Sequence, residues 1–536
     1  MSVSTPSFDF LIHEAVQRHA RRTPGRAALS CQGRSLSYLE LAEKSGQLAW
    51  TLLELGLQPG DRVGIFMNKS LHMGVALYGV LAARGAFVPL DPLMPVERLA
   101  FILEDCGIRH LITSPNQART LRELSERPSA PSDLHVVGLS EISGPGFHHV
   151  SWEVVDSHPT AGPTNRGIDQ DLAYIMYTSG STGEPKGMMH THHGSLSYAR
   201  WGVNLVGLGP DDRVASHAPL HFDLSIFDFF STSQAGGTVV LVPEPVTKFP
   251  ASWTQYMEDE AISVLFTVPY TLTEMLTRGV LDQRDLSCLR WVLFGGEPAP
   301  PAHLRGLMDA LPHVRFTNVY GPAEAPSCVC HHLEGPPTND EPIPIGTVSQ
   351  NSADLILNEY DEPVGPDGPG ELHIRSSTLM KGYWNRPELN ESAFLERPRF
   401  GRLSDLYYRT GDLVSRDHEG VLHFLGRRDR MIKTRGHRVE LNEVEAALGS
   451  HPEVAAAAAY AVPDGRGSKK ILGAAVLSPG AAADEPALLQ HCRQKLPGYA
   501  LPESVEIMPD LPRTTSGKVD HQRLTQLAAA SELGHQ

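Results

Sequence analysis

The sequence predicts an α/β protein: a large N-terminal domain of mixed and parallel sheets flanked by helices, followed by a small C-terminal α+β domain. The chain has 536 residues, of which 41% are hydrophobic, and this length exceeds what one core usually supports. Short apolar segments that predict strands alternate with helical patterns, as in a largely parallel sheet. A basic segment begins at Gly426, and the roughly 110 residues beyond it suffice for a second domain. We place the boundary at Asp429, between residues 1–428 and 429–536.

The first elements follow from local patterns. Ser37 is placed to cap a helix that ends at Gly56, because apolar residues recur at helical spacing between them. Arg62–Phe66 predicts a strand, Leu71–Ala83 a helix and Phe87–Leu90 another strand. This alternation is what predicts the parallel sheet.

Three later strands end at small or turn-forming residues, where a cleft can open: Ser263–Pro269, Arg290–Gly296 and Asn318–Glu324. In the C-terminal region, Val439–Leu448 has the spacing of a short amphipathic helix. Val454–Val462 is ambiguous, because its five consecutive alanines favour a helix while its shortness and the proline after it favour a buried strand.

Composition excludes several classes of function. The net charge of −16 argues against a broad surface for nucleic acid or anionic membranes. No basic, then apolar, leader pattern opens the chain, and the longest apolar run is about half of a membrane span, so we expect a cytoplasmic protein. Six cysteines lack paired spacing, so we expect reduced thiols. His190, His192 and His193 lack further ligands nearby and are not expected to bind metal.

A loop typical of phosphate binding lies at Tyr177–Gly187, with the sequence YTSGSTGEPKG. Its glycines allow close approach of the backbone, its hydroxyls and amides donate hydrogen bonds, and its lysine adds a charge. It departs from the P-loop of kinases and GTPases, since Pro185 precedes the lysine. The alternative is a flexible surface loop. The candidate ligands are Thr178, Ser179, Gly180, Ser181, Thr182, Gly183 and Lys186.

Three charged residues have two possible interpretations each on local grounds. Asp223 lies between apolar residues and either needs a cationic partner or caps a helix. Tyr408–Val414 predicts a strand-like segment that presents Asp412 in a Thr-Gly-Asp turn, where Asp412 is a ligand or a turn residue. Lys518 lies on a Ser-Gly turn and is either a functional residue or an ordinary surface lysine, since most lysines in such turns are exposed to solvent without a specific role.

Eight motifs in a fixed order resemble the adenylate-forming superfamily, specifically the amino-acid adenylation domains of nonribosomal peptide synthesis. The resemblance extends from Phe8 to Leu524. The motifs are LSYLELAEKSGQLA, YTSGSTGEPKGMMHTHHG, HFDLSIFDFF, NVYGPAEA, GELHIRSSTLMKGYWNRPE, YRTGDLV, GRRDRMIKTRGHRVELNEVE and LPRTTSGKVD. Their shared order outweighs the separate alternatives for the loop, Asp412 and Lys518.

The resemblance implies a reaction of an amino acid with ATP that gives aminoacyl-AMP and pyrophosphate, followed by transfer to a phosphopantetheine thiol. It implies catalytic roles for Lys518, on the substrate carboxylate and α-phosphate, and for Glu324, on Mg²⁺. It also implies that Asp429 is a hinge, and that Thr178–Gly183 hold the leaving phosphates. The further nucleotide ligands are Tyr320 on adenine, Asp412 on the ribose, and Arg427. The family usually has Thr where this chain has Ala323, so slower or differently balanced adenylation is expected. It often has Gly where this chain has Ser376 and Ser377, and that departure concerns only the local turn.

The resemblance also implies a substrate pocket, in which Asp223 pairs with the α-ammonium. Two phenylalanines narrow an otherwise apolar wall, so a small aliphatic side chain such as that of valine, isoleucine or 2-aminobutyrate fits best. Proline is the alternative, because prolyl-carrier ligases are similar in the HFDLSIFDFF segment. The pocket positions are Asp223, Leu224, Phe227, Phe266, Leu293, Gly295, Val319, Ser327 and Cys328, with Lys518.

No carrier-domain, condensation or thioesterase signature is found in the chain, so we expect a free-standing enzyme. Its expected partners are ATP, Mg²⁺, an amino acid and a separate carrier protein, without nucleic acid or membrane. Coenzyme A in place of the carrier protein, as in an acyl-CoA ligase, is a second possibility. A non-catalytic nucleotide-binding relative is the third.

Overall fold

The computed structural model describes residues 9–140, 146–180, 184–513 and 519–533, with side chains up to residue 529. The strands before the basic segment are Ala27–Cys31 (β1), Arg34–Ser37 (β2), Arg62–Phe66 (β3), Ala86–Pro89 (β4), His110–Thr113 (β5), Leu134–Val137 (β6), Phe147–Val150 (β7), Leu172–Thr178 (β8), Lys186–Thr191 (β9), Arg213–Ser216 (β10), Thr238–Leu241 (β11), Val264–Thr267 (β12), Trp291–Gly295 (β13), Arg315–Tyr320 (β14), Val329–Leu333 (β15), Thr347–Val348 (β16), Ser352–Leu357 (β17), Gly370–Ser376 (β18), Gly382–Tyr383 (β19), Phe394–Phe400 (β20), Leu403–Arg416 (β21) and Leu422–Arg427 (β22).

The strands that follow are Met431–Thr434 (β23), His437–Glu440 (β24), Val454–Pro463 (β25), Lys469–Leu477 (β26) and Ser504–Ile507 (β27). The helices are Glu14–Arg22 (α1), Tyr38–Glu54 (α2), Leu71–Ala82 (α3), Val96–Asp105 (α4), Ala118–Ser125 (α5), Trp152–Asp156 (α6), His192–Val206 (α7), Leu224–Ile226 (α8), Thr232–Ala235 (α9), Glu244–Thr247 (α10), Pro250–Asp259 (α11), Pro269–Arg278 (α12), Pro301–Ala310 (α13), Pro387–Ala393 (α14), Leu441–Gly449 (α15), Glu485–Lys495 (α16) and His521–Leu533 (α17). A π-helical segment, Phe227–Ser231, joins α8 to α9.

Two large mixed sheets form the N-terminal part, as predicted. Their strand orders are β16-β15-β14-β13-β12-β10-β11-β1-β2 and β19-β9-β8-β4-β3-β5-β6-β7, and most central neighbours are parallel. A third sheet, of antiparallel β17, β18, β21, β20 and β22, ends at Arg427. The next strand, β23, pairs with β24 alone, so sheet membership changes around the predicted boundary at Asp429. The boundary itself stays a prediction.

The predicted cap of α2 is confirmed. The Ser37 hydroxyl accepts a hydrogen bond from the Glu40 amide at 3.2 Å, and the Glu40 carboxylate accepts one from the Ser37 amide at 2.8 Å. This reciprocal capping box satisfies two amides that the first helical turn leaves unpaired. The helix ends at Glu54, two residues before the predicted end at Gly56.

The ambiguous alanine run is a strand, β25. It pairs antiparallel with β26, and Ala458 and Ala459 are fully buried. Small side chains let helices pack closely on both faces of this strand, since α15 and α17 contact it. Tertiary pairing therefore overrides the helix propensity of alanine.

Three predicted absences can be compared with the described part of the chain. All six cysteines lie within it and are free thiols. Among the described residues no group of histidine, cysteine and acidic side chains is arranged to hold a metal ion. This holds also for His190, His192 and His193. No helix that the structure describes is both long and apolar enough to span a bilayer.

The C-terminal elements contact the N-terminal part through buried and half-buried polar pairs. Arg98 of α4 and Glu443 of α15 form an ion pair of 2.5 Å, with side chains only 8% and 4% exposed. Ser468 donates a hydrogen bond to Glu297 at 3.2 Å. These contacts help to hold the β23–β24 hairpin over the carboxyl ends of the central strands.

Candidate active site

The candidate active site lies at the carboxyl ends of β12, β13 and β14, which are neighbouring parallel strands. Gly295 and Val319 are register partners there, and both line a cavity of about 110 Å³. The end of β8 and the β23–β24 hairpin contribute the other walls. The predicted convergence of three strand ends with the loop after Tyr177 is confirmed. Open α/β sheets commonly bind ligands at this edge.

The first half of the predicted phosphate loop continues β8 into the cavity. Thr178 ends the strand, and Ser179 is buried and donates a hydrogen bond to the carbonyl oxygen of Arg438 at 3.1 Å. A Cβ atom at Gly180 would lie 2.0 Å from the carbonyl oxygen of Glu184, so only glycine fits. Three further predicted ligands, Ser181, Thr182 and Gly183, lie outside the described residues.

Lys186 begins β9 and is buried beside the loop. Its ammonium donates to the Tyr383 hydroxyl at 3.3 Å and lies 3.8 Å from Glu324. Burial, together with the charge of Arg438, lowers the pKa of Lys186 to about 8. The lysine therefore lies within the site and contacts protein groups in this arrangement.

Glu324 is a fully buried carboxylate surrounded by donors. Arg438 Nη1 lies 3.0 Å from both of its oxygens, and the Tyr383 hydroxyl donates to Oε1 at 2.6 Å. Burial by itself would raise the pKa of Glu324, but the charges of Arg438 and Lys186 lower it well below its usual range. Glu324 is thus an anion at neutral pH.

The three predicted nucleotide ligands Tyr320, Asp412 and Arg427 form one cluster. The Tyr320 hydroxyl and the Arg427 guanidinium each bind one oxygen of Asp412. Arg427 also binds Asp429, the predicted hinge, at 2.7 Å. The predicted strand at Tyr408–Val414 is confirmed as part of β21, but Asp412 follows a bulge in that strand and not a separate turn, since Gly411 has φ +71° and the pairing register shifts there. This bulge aims the Asp412 carboxylate into the site.

Asp223 lines the cavity and is half-buried. It precedes α8 without a capping hydrogen bond from its side chain, so the alternative of a helix cap is wrong. Burial raises the pKa of Asp223 to about 6, and the charge of Lys433 opposes that rise. Lys433 lies on the hairpin, lines the same cavity, and has its own pKa lowered by burial.

The predicted pocket positions fall into two layers. One layer lines the cavity: Asp223, Leu224, Phe266, Gly295, Val319 and Ser327. The other layer lies behind it and is fully buried: Phe227, Leu293 and Cys328. The rings of the two phenylalanines meet edge to face, with centroids 5.4 Å apart, so the back layer holds the front one in place.

Several lining residues were not predicted. Met176, Met188 and Tyr198 face the cavity from β8, β9 and α7, and the Tyr198 hydroxyl accepts a hydrogen bond from Ser327 at 3.3 Å. They belong to ordinary apolar patterns, so no local signal separates them from core residues. Lys433 belongs to the basic segment used to place the boundary, and Arg438 lies just beyond the end of that segment. The signal that could have identified them is the alternation of basic with apolar residues along the two strands of a hairpin.

The predicted catalytic residue Lys518 lies outside the described residues. The flanking chain is described: Arg513 and Val519 form an isolated antiparallel bridge, and α17 follows from His521. His521 pairs with Glu445 of α15 at 2.8 Å, so the segment after Lys518 packs against the C-terminal elements. The role of Lys518 stays a prediction.

Comparison with known proteins agrees with this geometry. Residues 16–384 match the family model of AMP-binding enzymes, and residues 443–518 match that of the AMP-binding enzyme C-terminal domain. An L-proline–[L-prolyl-carrier protein] ligase from Pseudomonas fluorescens is 34% identical over 96% of this chain and 99% of its own length. A protein of the same name from Streptomyces coelicolor is 34% identical over 98% of this chain and 97% of its own length.

A similar fold occurs in the amide bond synthetase McbA from Marinactinospora thermotolerans, with a TM-score of 0.84, 26% sequence identity, and coverage of 96% of this chain and 99% of that one. The match of the first family model to more than half of the chain, and two full-length relatives above 30% identity, show the family. The chain therefore belongs to the AMP-binding enzyme family of AMP-forming ligases, among the amino-acid adenylation domains of nonribosomal peptide synthesis.

Proposed function

We propose that this protein activates a small α-amino acid with ATP as aminoacyl-AMP, and then transfers the aminoacyl group to the phosphopantetheine thiol of a separate carrier protein. The observation that best supports this proposal is the position of the Asp223 carboxylate. It lines a narrow and mainly apolar cavity that also reaches Ser179 and Asp412. A ligand with a cationic amine and a short apolar side chain complements that cavity. The two relatives similar over their full length are named as carrier-protein ligases.

In the first half-reaction the substrate ammonium pairs with Asp223, and the substrate carboxylate attacks the α-phosphorus of ATP. Pyrophosphate leaves towards the loop at Thr178–Gly180. Both reacting groups are anionic, so the protein acts mainly by positioning them and by neutralising charge. Lys518 supplies a cation between the two reacting groups, while Asp412, Arg427 and Tyr320 hold the nucleoside.

The residues present fit ATP and Mg²⁺. Thr178 Oγ1 is buried and has no hydrogen-bond partner among the described residues, so it is free to donate to a phosphate oxygen. Glu324 is an anionic carboxylate, the kind of ligand that Mg²⁺ prefers, and it would hold the metal. When bound, Mg²⁺ would neutralise charge on the phosphates.

The candidate substrates are L-proline and the small aliphatic amino acids valine, isoleucine and 2-aminobutyrate. The cavity is small and its wall carries Phe266, Leu224 and Val319, which suits any of them. Proline is favoured by the names of the two full-length relatives. The binding free energies of two substrates whose side chains differ by one methylene differ by only about 1–3 kcal/mol in such a pocket.

Pyrophosphate exchange with a panel of substrates tests this function. We expect ATP- and Mg²⁺-dependent exchange with L-proline or one of the three aliphatic amino acids, above that with aromatic or charged ones. Equal exchange with the matching acids that lack the amine would favour an acyl-CoA ligase. Binding of ATP without any exchange would favour a non-catalytic relative and point to Ala323, which lines the cavity where the family usually has Thr.

A second prediction concerns the hinge at Asp429. Proline at this position fixes φ and removes an amide donor between β22 and β23, so residues 429–536 should no longer rotate. We expect Asp429→Pro to retain pyrophosphate exchange and to lower carrier loading by about 10²-fold, since misplaced reactants lose that much. Asp429→Ala is the control for the lost contact with Arg427. Unimpaired loading in the proline variant would place the hinge elsewhere.

A further inference from the structure

A second cavity adjoins the candidate active site beside α7. This outer cavity has a volume of about 540 Å³, and its lining includes Trp201 and Leu205 of α7 and Val348 of β16. Ser327 lines both the outer cavity and the inner cavity of about 110 Å³, which Asp223 also lines. Ser327 therefore belongs to a partition that separates the substrate cavity from a larger space.

The partition is completed by Tyr198. The Ser327 hydroxyl donates a hydrogen bond to the Tyr198 hydroxyl at 3.3 Å, and both side chains are buried. Tyr198 lines the inner cavity, and its ring stacks on Trp201 of the outer cavity with centroids 5.6 Å apart and an interplanar angle of 18°. A single tyrosine ring thus lies between the substrate cavity and the aromatic wall of the outer cavity.

The segment that carries Ser327 is fixed by hydrogen bonds to its backbone. The Ser349 hydroxyl donates to the carbonyl oxygen of Ser327 at 3.1 Å, and the Thr378 hydroxyl donates to that of Pro326 at 3.0 Å. Ser327 has φ +52°, in the left-handed region that residues other than glycine rarely adopt. These bonds hold the Ser327 hydroxyl on Tyr198, so the partition resists displacement by a ligand.

Tyr198 lies close to the group that anchors the substrate in the proposed function. Burial raises the pKa of Tyr198 well above its usual range, and the negative charge of Asp223 adds to that rise. The wall at Phe266 is different, because its ring is backed by the fully buried ring of Phe227. Behind Tyr198 there is the outer cavity, so removal of this ring would open space for a ligand.

We propose that Tyr198, held by Ser327, is a specificity-determining residue that sets the maximum length of the substrate side chain. Without its ring, the outer cavity would receive the end of a longer linear side chain, against the apolar surfaces of Trp201, Leu205 and Val348. This inference rests on the proposed function, in which Asp223 anchors the α-ammonium. It explains why a small substrate is accepted although a larger cavity lies next to the site.

The test measures kcat/KM in pyrophosphate exchange along a series of linear α-amino acids: 2-aminobutyrate, norvaline, norleucine and 2-aminooctanoate. The readout is the ratio of kcat/KM for 2-aminooctanoate to that for 2-aminobutyrate, which cancels a general loss of activity. We expect Tyr198→Ala to raise this ratio at least about 10-fold, since the penalty for surplus methylenes is relieved. Tyr198→Phe, which keeps the ring, should keep the ratio of the parent.

The matched control is Leu205→Ala, which enlarges the outer cavity and leaves the partition in place. Its ratio should equal that of the parent. A larger residue at the same position then tests where the longer side chain lies. Adding Leu205→Trp to Tyr198→Ala should fill the outer cavity and return the ratio towards the parent value, an effect that a merely structural role of Tyr198 would not produce.

An unchanged ratio in Tyr198→Ala would overturn the inference. A raised ratio that Leu205→Trp does not lower would also overturn it, because the longer side chain would then lie elsewhere. Tyr198→Leu removes the ring and the hydroxyl with a smaller loss of volume, and it serves if the alanine variant fails to fold. Failure of the proposed function is distinguishable, since it would appear as absent pyrophosphate exchange with every amino acid in the parent protein.

Discussion

Asp223→Ala is expected to lower kcat/KM for the preferred α-amino acid by the equivalent of about 2–5 kcal/mol, the range for breaking a buried charge pair. The carboxylate lines the cavity without capping α8, so its remaining role is to meet a cation. In this structure the positive charge of Lys433 partly compensates the Asp223 carboxylate, and the ammonium group of a bound substrate would take over that role. Pyrophosphate exchange with the amino acid and with the matching acid that lacks the amine measures the effect.

The control for this prediction is Asp223→Asn, which keeps the size of the side chain but removes its charge. Both variants should narrow the preference for the amine-bearing substrate. If either kept the parent preference, the assignment to α-amino acids would lose its main physical support. Loss of exchange with both kinds of substrate would point to collapse of the cavity instead.

The pH dependence gives the same residue a second signature. Asp223 attracts an ammonium only when it is ionised, and its pKa is raised to about 6 by burial. In the parent, kcat/KM for the amino acid should therefore be level above that pH and fall about tenfold per unit below it, since this parameter reports the free enzyme. The Asp223→Asn variant should lack that limb.

Lys518→Ala is expected to lower adenylation by about 10²–10³-fold, the usual loss when one charge-stabilising group is removed. Carrier loading from supplied aminoacyl-AMP should stay within a few-fold of the parent, because the charge is needed only while the carboxylate attacks the α-phosphate. Single-turnover measurement of each half-reaction separates the two effects.

The matched control is Lys381→Ala, which removes an exposed lysine. It should leave both half-reactions unchanged. Equal losses in adenylation and in loading for Lys518→Ala would contradict the assignment. If only carrier loading were lost, another cation would have to stabilise the attack of the carboxylate on the α-phosphate. Lys433 would then be the candidate, since it already lines the cavity.

Much of the fold and part of the site could be predicted from the sequence, because those features depend on short-range patterns. The cap at Ser37, the strand that leads into Ser179 and the glycine at Gly180 each follow from neighbouring residues. The convergence of the strands ending near Gly295 and Tyr320 follows from alternating strands and helices, which build parallel sheets with their carboxyl ends together.

What only the tertiary structure decided depends on contacts between distant parts of the chain. The alanine run became β25 because pairing with β26 and packing of two helices outweigh local propensity. Asp412 occupies a strand bulge and not a turn, because β21 pairs on both sides of it. Arg438 meets Glu324 across 114 positions, and Arg98 meets Glu443 across 345. No local pattern encodes such pairs, since packing of the C-terminal elements against the N-terminal part brings those charges together.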